Sequence, residues 1–421
     1  MKPEQVEKCS LGLYPTPLQR LERLEKKLDK GPLFIKREDL SDIGLGGNKI
    51  RKLEYFAHDA LLTGSTVLLT YGGPQTNHGR LTAAVAARLG MKAVLILDGG
   101  EPDYYSGNLV LDRLMGADLR FIGDECLEGL SGSAYQEAYE NRVQQLTDQI
   151  VQEYQQKGEK VYIIPMGGSN ELGALGYIQM IPELLRQIEE QQLKIKTLVC
   201  GAGSMGTFAG LWLGAAYYHA PFEVVGVSIN PQTVFTAEKV SDYVNRISNQ
   251  YEMGIVCEPK RLHIEFYQPD APYAGLGYNI PDEATMNYVR MMAETEAIFL
   301  DPCYTGKVFH GFAELLRKGQ IPSEGAIFLH TGGTPGIWAK EHMDAMQPML
   351  DSPAGRSGMS ALSSRLERLN LDLAKSQQEI SEQMENLRQL DKTQTVQFRE
   401  LMAKKLTNSQ MIAMLQAYGL K

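Results

Sequence analysis

The sequence predicts an α/β protein, a mostly parallel sheet covered by helices on both faces, followed by an α-helical extension. Three observations predict it. Short β-branched, apolar runs alternate with helical periodicity from about residue 33, glycine-rich loops follow several of those runs, and beyond about residue 360 leucine recurs every seventh residue without glycine or proline.

The strands expected in order are LFIKRE (33–38), TVLLTY (66–71), AVLIL (93–97), VYIIP (161–165), TLVC (197–200), VVGVSI (224–229) and AIFLHT (326–331). Several are too apolar to have a solvent face, as in parallel sheets buried on both sides. Ligands of such sheets bind beyond the carboxyl ends of the strands. The loops to search are therefore YGGPQTNHGR after residue 70, PMGGSNELGALGY after 164, GAGSMGTFAG after 200 and HTGGTPGI after 329.

The stretch DSPAGRSGMS, 351–360, reads as a linker. From Ala361 to Tyr418, Leu366, Leu373, Ile380, Leu387 and Leu401 keep a seven-residue repeat, with Gln394 in the gap and Leu362, Leu369 and Leu390 on partner positions. This resembles a coiled-coil seam. A short last helix is expected from about Ser409 to Tyr418, after a turn at Thr407–Asn408 and before Gly419 as its stop. The extension is read either as a hairpin packed on the rest of its chain or as a surface for self-association.

The 421 residues allow two or three domains and a sizeable buried site, and the 43% hydrophobic and 22% charged content is that of a globular protein. A net charge of -9 argues against a nucleic-acid face and for a small-molecule ligand. Cys9, Cys126, Cys200, Cys257 and Cys303 are odd in number and without metal-type spacing, so reduced thiols and no metal are expected. Neither a signal peptide nor a membrane span is expected, which places the protein in the cytoplasm.

In GGNKIRKLEY, residues 46–55, glycines, Asn48 and Lys49 stand ahead of an amphipathic helix. Asn48 can cap that helix, whose free N–H groups favour an anion, and a lysine beside glycines suits attachment to an aldehyde cofactor. The loop GAGSMGTFAG offers a second anion cradle, with Ser204 and Thr207 as hydroxyl donors. Residues 201–206 also fit the glycine pattern of a nicotinamide-dependent dehydrogenase, but VVGVSIN ends in Asn230, where a ribose-binding acid is required. A single phosphate is the simpler ligand.

KREDL followed by GGNKIRKLEY, then QTNHGRLTAAVAARLGM, the loop at 203–207, DPCYTGK and HTGGTP together resemble the D-cysteine desulfhydrase and 1-aminocyclopropane-1-carboxylate deaminase family. The likeness spans about residues 10–345 and omits the tail. It implies the tryptophan-synthase β-like (type II) fold, with two open, mostly parallel sheet domains: a larger one from about 1–50 and 165–350, and a smaller one from about 51–164. Pyridoxal phosphate is the implied cofactor and a homodimer the implied assembly.

The resemblance implies that Lys49 carries the cofactor as a Schiff base, that Lys52 and the N–H groups of Gly203, Ser204, Met205, Gly206 and Thr207 hold its phosphate, and that Asn77 bonds its phenolic oxygen. Gln75, Thr76, Asn77 and His78 would form the loop that takes the substrate carboxylate. Tyr278 and Tyr304 would face the substrate.

Thr305 and Thr331 stand where the deaminases keep a glutamate and a leucine, which points to simple β-elimination, as in D-cysteine breakdown to pyruvate, sulfide and ammonia. L-cysteate and D-serine are further substrates of the same type, and ring opening of 1-aminocyclopropane-1-carboxylate is the other branch. Thr76 replaces the family serine, adding a methyl group that is expected to narrow the pocket or alter the substrate. His78 is read either as an acid–base group or as a structural hydrogen-bonder, and His330 likewise. Cys303 has no partner to activate it. A scaffold or sensor that binds the cofactor and assembles through the tail is the reading from another class.

Overall fold

The computed structural model describes all residues except 124–131, 232–234, 269–272, 351–357, 390–392, 394 and 418–421, and within helices it leaves undescribed the side chains of 132–136, 358–372, 374, 410 and 413–417. Cys126, Gly419 and most of the expected linker therefore lie outside the described residues. The chain forms two compact units, Met1–Ala345 and Met346–Lys421.

The first unit contains two sheets. The strands in chain order are β1 (Leu18–Arg20), β2 (Leu33–Arg37), β3 (Val67–Gly72), β4 (Lys92–Leu97), β5 (Asp118–Phe121), β6 (Val161–Ile163), β7 (Thr197–Ala202), β8 (Glu223–Ser228), β9 (His263–Glu265) and β10 (Ala326–His330). One sheet has the order β1-β2-β10-β7-β8-β9 and the other β5-β4-β3-β6. Every pairing is parallel except β1 with β2.

All seven expected strands are present. The three that the sequence pattern missed, β1, β5 and β9, each lie at a sheet edge. Edge strands have one paired side and keep polar residues, so LQR, DLRF and HIE carry no continuous apolar run. In β10 all five residues are buried, which is why AIFLH is apolar up to its last residue, His330.

Glycines bring the helices at the heart of this unit close together. A Cβ at Gly176, in the helix Glu171–Ile178, would lie 2.5 Å from the Arg51 carbonyl oxygen of the helix Lys49–Leu62. One at Gly210, in the helix Gly206–Tyr217, would lie 2.6 Å from the Ala174 carbonyl oxygen. The helices bearing Lys49 and following the glycine loop thus pack against the same intervening helix, backbone to backbone.

A buried ionic network supports the Lys49 helix. Arg51 donates through Nε to Glu38 Oε2 at 2.6 Å and through Nη2 to Glu183 Oε1 at 2.9 Å. Thr16 and Tyr177 hydroxyls also donate to Glu38, and Lys36 pairs with Glu183. Lys36 and Glu38 of KREDL and Arg51 of NKIRK thus meet here as structure.

The second unit contains the helices Gly358–Gln389 and Val396–Ala417. Ile380, Met384, Leu387, Phe398 and Leu401 form its buried cluster. The expected turn at Thr407–Asn408 is corrected: both residues are helical, and Asn408 donates to Ser376 Oγ at 3.0 Å across the hairpin. The polar pair reads as a turn locally, but its side chain finds a partner on the opposing helix.

Candidate active site

Lys49 opens its helix, and the expected Asn48 cap is corrected. Asn48 makes no side-chain cap; its Nδ2 donates instead to Thr207 Oγ1 at 3.0 Å. That bond ties the lysine loop directly to the glycine loop. The Asn48 N–H donates to the Thr331 carbonyl at 2.9 Å, which brings the HTGGTP turn to the same place.

Lys49 Nζ donates to the Gly167 carbonyl at 3.3 Å, and Lys52 Nζ donates to the same oxygen at 3.2 Å. Loss of hydration lowers the Lys49 amine to about 8, although the side chain as a whole is only half-buried. Lys52 is fully buried and is pushed well below the usual lysine value, by burial first and then by the charge of Lys49. Among the described residues neither makes an ion pair with a carboxylate.

Around the two amines the glycine loop forms a polar cradle. Lys52 donates to Ser169 Oγ at 3.3 Å, and the Ser169 and Ser204 hydroxyls lie 2.8 Å apart. Met205 takes a left-handed backbone at the start of the helix Gly206–Tyr217. A Cβ at Gly206 would come within 2.8 Å of Lys52 Nζ and 2.6 Å of Ser169 Oγ, so a side chain here would displace both groups. Two lysine amines, one fully buried and one half-buried, with two hydroxyls and a helix N-terminus suit a phosphate monoester. The donor set fits pyridoxal phosphate, with Lys49 for the aldehyde and Lys52, Ser204 and the Gly206–Thr207 turn for the phosphate. A cavity of about 280 Å³, lined by Ser169, Ser204, Tyr243, Lys239 and Arg246 among others, adjoins the cradle.

The QTNHGR loop crosses from β3 into the helix Asn77–Leu89. The Gln75 amide is turned away to Ser106 O and the Asn108 N–H, so its side chain anchors the neighbouring loop. Asn77 Oδ1 accepts from Asn108 Nδ2 at 3.0 Å, which orients the Asn77 amide. Thr76 Oγ1 caps the helix by accepting from the Gly79 N–H at 3.2 Å. Its Cγ2 methyl lies against the bare Cα of Gly79.

His78 is a structural hydrogen-bonder. Thr70 donates its only hydroxyl proton to the Ile164 carbonyl at 2.9 Å, so it accepts from His78 Nε2–H at 2.9 Å. Burial, then Lys49 and Lys52, drive the imidazole well below its ordinary value, and it stays neutral. His330 is likewise committed, with Nε2 to the Phe299 carbonyl at 3.0 Å and Nδ1 accepting from the Gly332 N–H at 3.2 Å.

Tyr278 and Tyr304 come together, hydroxyl to hydroxyl, with their rings 5.7 Å apart and nearly perpendicular. Burial raises both phenols above their ordinary value, so both keep their protons. Tyr278 also closes on the Thr76 loop: a Cβ at Gly73 would lie 3.1 Å from its ring. Thr305 is fully buried, and its hydroxyl donates to Asp301 Oδ1 at 2.6 Å. Asp301 further accepts from the N–H groups of Cys303, Tyr304 and Thr305, fixing the start of the helix Thr305–Lys318. Burial raises the Cys303 thiol, leaving it protonated.

Four residues of the site were missed from sequence: Gly167, Ser169, Asn108 and Lys307. The first two lie in the PMGGSN loop, whose glycine pair after a strand was a usable signal. Lys307 ends the DPCYTGK motif, which was its signal, whereas Asn108 carries none, since it acts on backbone and amide groups supplied by a distant segment. Lys307 is fully buried and donates to the carbonyls of Gly277, next to Tyr278, and of Ile229.

Comparison with known proteins agrees with this geometry. Residues 9–332 match the family model for pyridoxal-phosphate dependent enzymes. A D-cysteine desulfhydrase of Klebsiella pneumoniae (strain 342) is 36% identical over 331 residues, covering 77% of this chain and 93% of its own. A Thermotoga maritima protein provisionally named 1-aminocyclopropane-1-carboxylate deaminase is 38% identical over 340 residues, covering 79% and 98%. The crystal structure of an ACC deaminase homologue superposes with a TM-score of 0.68 at 30% identity, covering 82% of this chain and 96% of that one. Taken with the paired lysines and the phosphate cradle, these matches show that the chain belongs to the D-cysteine desulfhydrase and 1-aminocyclopropane-1-carboxylate deaminase family of pyridoxal-phosphate dependent enzymes.

Proposed function

We propose that this enzyme catalyses β-elimination on a small amino acid, with D-cysteine the favoured substrate and pyruvate, sulfide and ammonia the products. The observation that carries the reading is the protonated Tyr278–Tyr304 pair, closed onto the same loop that presents Thr76 and Asn77. Bound pyridoxal phosphate supplies the electron sink that acidifies the substrate Cα proton.

The residues divide the remaining work. Lys49, with an amine near 8, is a competent base for that proton close to neutral pH. The Thr76 hydroxyl and the free N–H groups of the first helical turn hold the substrate carboxylate. Tyr278 or Tyr304 gives a proton to the departing β-substituent. Thr305 directs its hydroxyl proton to Asp301, so this position offers no carboxylate to hold the pyridine nitrogen protonated, which favours elimination over ring opening.

The four described cysteines are free thiols, which suits a reducing cytoplasm. A homodimer belongs to the same proposal, and its molar mass in solution checks it. A screen of D- and L-amino acids with β leaving groups for pyruvate release tests the activity. D-cysteine is expected to give the highest kcat/KM; 2-oxobutyrate from 1-aminocyclopropane-1-carboxylate, with no pyruvate from the screen, would move the enzyme to the other branch.

Lys307 provides a second test. Lys307→Met removes the donors that hold Gly277 and Ile229, loosening Tyr278 without touching the cofactor cradle. A fall in kcat on the order of 10- to 100-fold is expected, with an unchanged cofactor absorption spectrum. Steady-state kinetics beside the spectrum of the purified variant check it.

A further inference from the structure

We infer that Gly79 is a positioning residue for substrate: together with Gly72 it locks the Thr76 side chain in the one arrangement that keeps its methyl group out of the reaction space. The inference rests on the reading of Thr76 as a substrate-binding residue.

Two facts show that Gly79 is present for space and not for backbone freedom. Its φ is not in the left-handed region, and it lies in the first turn of the helix Asn77–Leu89, where alanine would be favoured by about 1 kcal/mol. A Cβ built there would lie 2.5 Å from Thr76 Cγ2, closer than such contacts occur, while its other neighbours are the flexible Leu95 methyls at 3.3 and 3.7 Å. Gly72 closes the other side: a Cβ there would meet Thr76 Oγ1 at 2.7 Å, Cβ at 2.8 Å and Cγ2 at 3.0 Å. Thr76 is thus set between two bare α-carbons and is only 5% exposed.

A β-branched side chain has few staggered states. If the methyl must leave its place over Gly79, the whole group rotates by one step. Either direction of rotation takes Oγ1 away from the Gly79 N–H that it now caps. The space left by the glycine therefore decides both where the methyl sits and where the hydroxyl points. A serine in place of Thr76 has no such dependence, because it carries no methyl to displace.

The test is a cycle of four proteins, all holoenzyme and full chain: wild type, Gly79→Ala, Thr76→Ser and the double variant. In the wild-type background Gly79→Ala is expected to lower kcat/KM for the best substrate of the pyruvate screen on the order of 10- to 100-fold. In the Thr76→Ser background the same change is expected to alter it by less than about threefold, with the cofactor spectrum constant in all four. An equal loss in both backgrounds, or no loss in either, would overturn the inference.

The thermal midpoint gives a readout that does not depend on activity. Gly79→Ala is expected to lower it when Thr76 is present and to leave it unchanged or raised in the Thr76→Ser background. If wild type turns over no amino acid, the proposed function fails by itself, and the midpoints still decide the coupling: background-dependent shifts uphold it, and equal shifts overturn it.

Discussion

Lys49→Ala is expected to abolish the visible absorption of the covalently bound cofactor and to lower turnover on the order of 10²- to 10⁴-fold from loss of the proton-transferring amine alone. Lys49 and Lys52 share the Gly167 carbonyl, yet only Lys49 opens the helix beside Asn48 and the threonine loop. Lys52 remains in the variant, so phosphate affinity is expected to persist as reversible binding. Absorption spectra with added pyridoxal phosphate, read beside pyruvate release, separate the two amines. An unchanged spectrum in Lys49→Ala would move the Schiff-base role to Lys52.

The second large effect is on stability. Arg51→Met is expected to destabilise the first unit by about 3–5 kcal/mol, because it leaves the buried carboxylates of Glu38 and Glu183 without their guanidinium. Both have side chains less than 10% exposed, and Glu38 is fully enclosed. Burial by itself would raise the Glu38 carboxyl, but the charge and bonds of Arg51, with help from Lys36, hold it at about 2.

A carboxyl held below its unfolded value, near 4.3, contributes stability that is fully present above that value and is lost as pH falls toward 2; the shift corresponds to roughly 3 kcal/mol. In Arg51→Met burial is left largely unopposed and lifts the carboxyl above its unfolded value, so the deficit is greatest near neutrality and shrinks as the carboxyl takes up its proton. Urea unfolding at pH 7 and pH 4 checks the sign: the gap between wild type and variant is expected to be wide at pH 7 and narrower at pH 4.

Much of the fold was legible because its signals are local. A strand buried on both faces must be apolar along its whole length, so six inner runs identified themselves, and the edge strand Val161–Ile163 was found because its run is apolar as well. The other edge strands did not, since a half-exposed strand such as Asp118–Phe121 looks like a loop with charges. In the tail, the leucine repeat marked helix correctly, but Thr407 and Asn408 read as a turn because their helical partners, such as Ser376, lie about thirty residues away.

At the site, the glycines around Lys49 and the 203–207 turn suggested a phosphate and an aldehyde cofactor, while the roles of Lys49 and Lys52 came from the family resemblance, because a lysine near a helix start is most often a surface residue. Asn48 was misread for the opposite reason. An asparagine before a helix usually caps it, and only the approach of Thr207 offers this one a better partner.

By itself, then, the sequence determined the alternation of strand and helix, the family and the cofactor. These depend on periodicity and on motifs contained within a few residues. Tertiary structure alone decided which hydroxyl meets which carboxylate: that Thr305 turns to Asp301, that Lys307 holds the Tyr278 loop, that Arg51 bridges Glu38 and Glu183, and that the Thr76 methyl rests on Gly79. Each is a contact whose partner is chosen by packing. Hydrogen bonds and close contacts act over about 3 Å, and it is the folded chain that brings residues as distant in sequence as Thr16 and Glu183 within that reach.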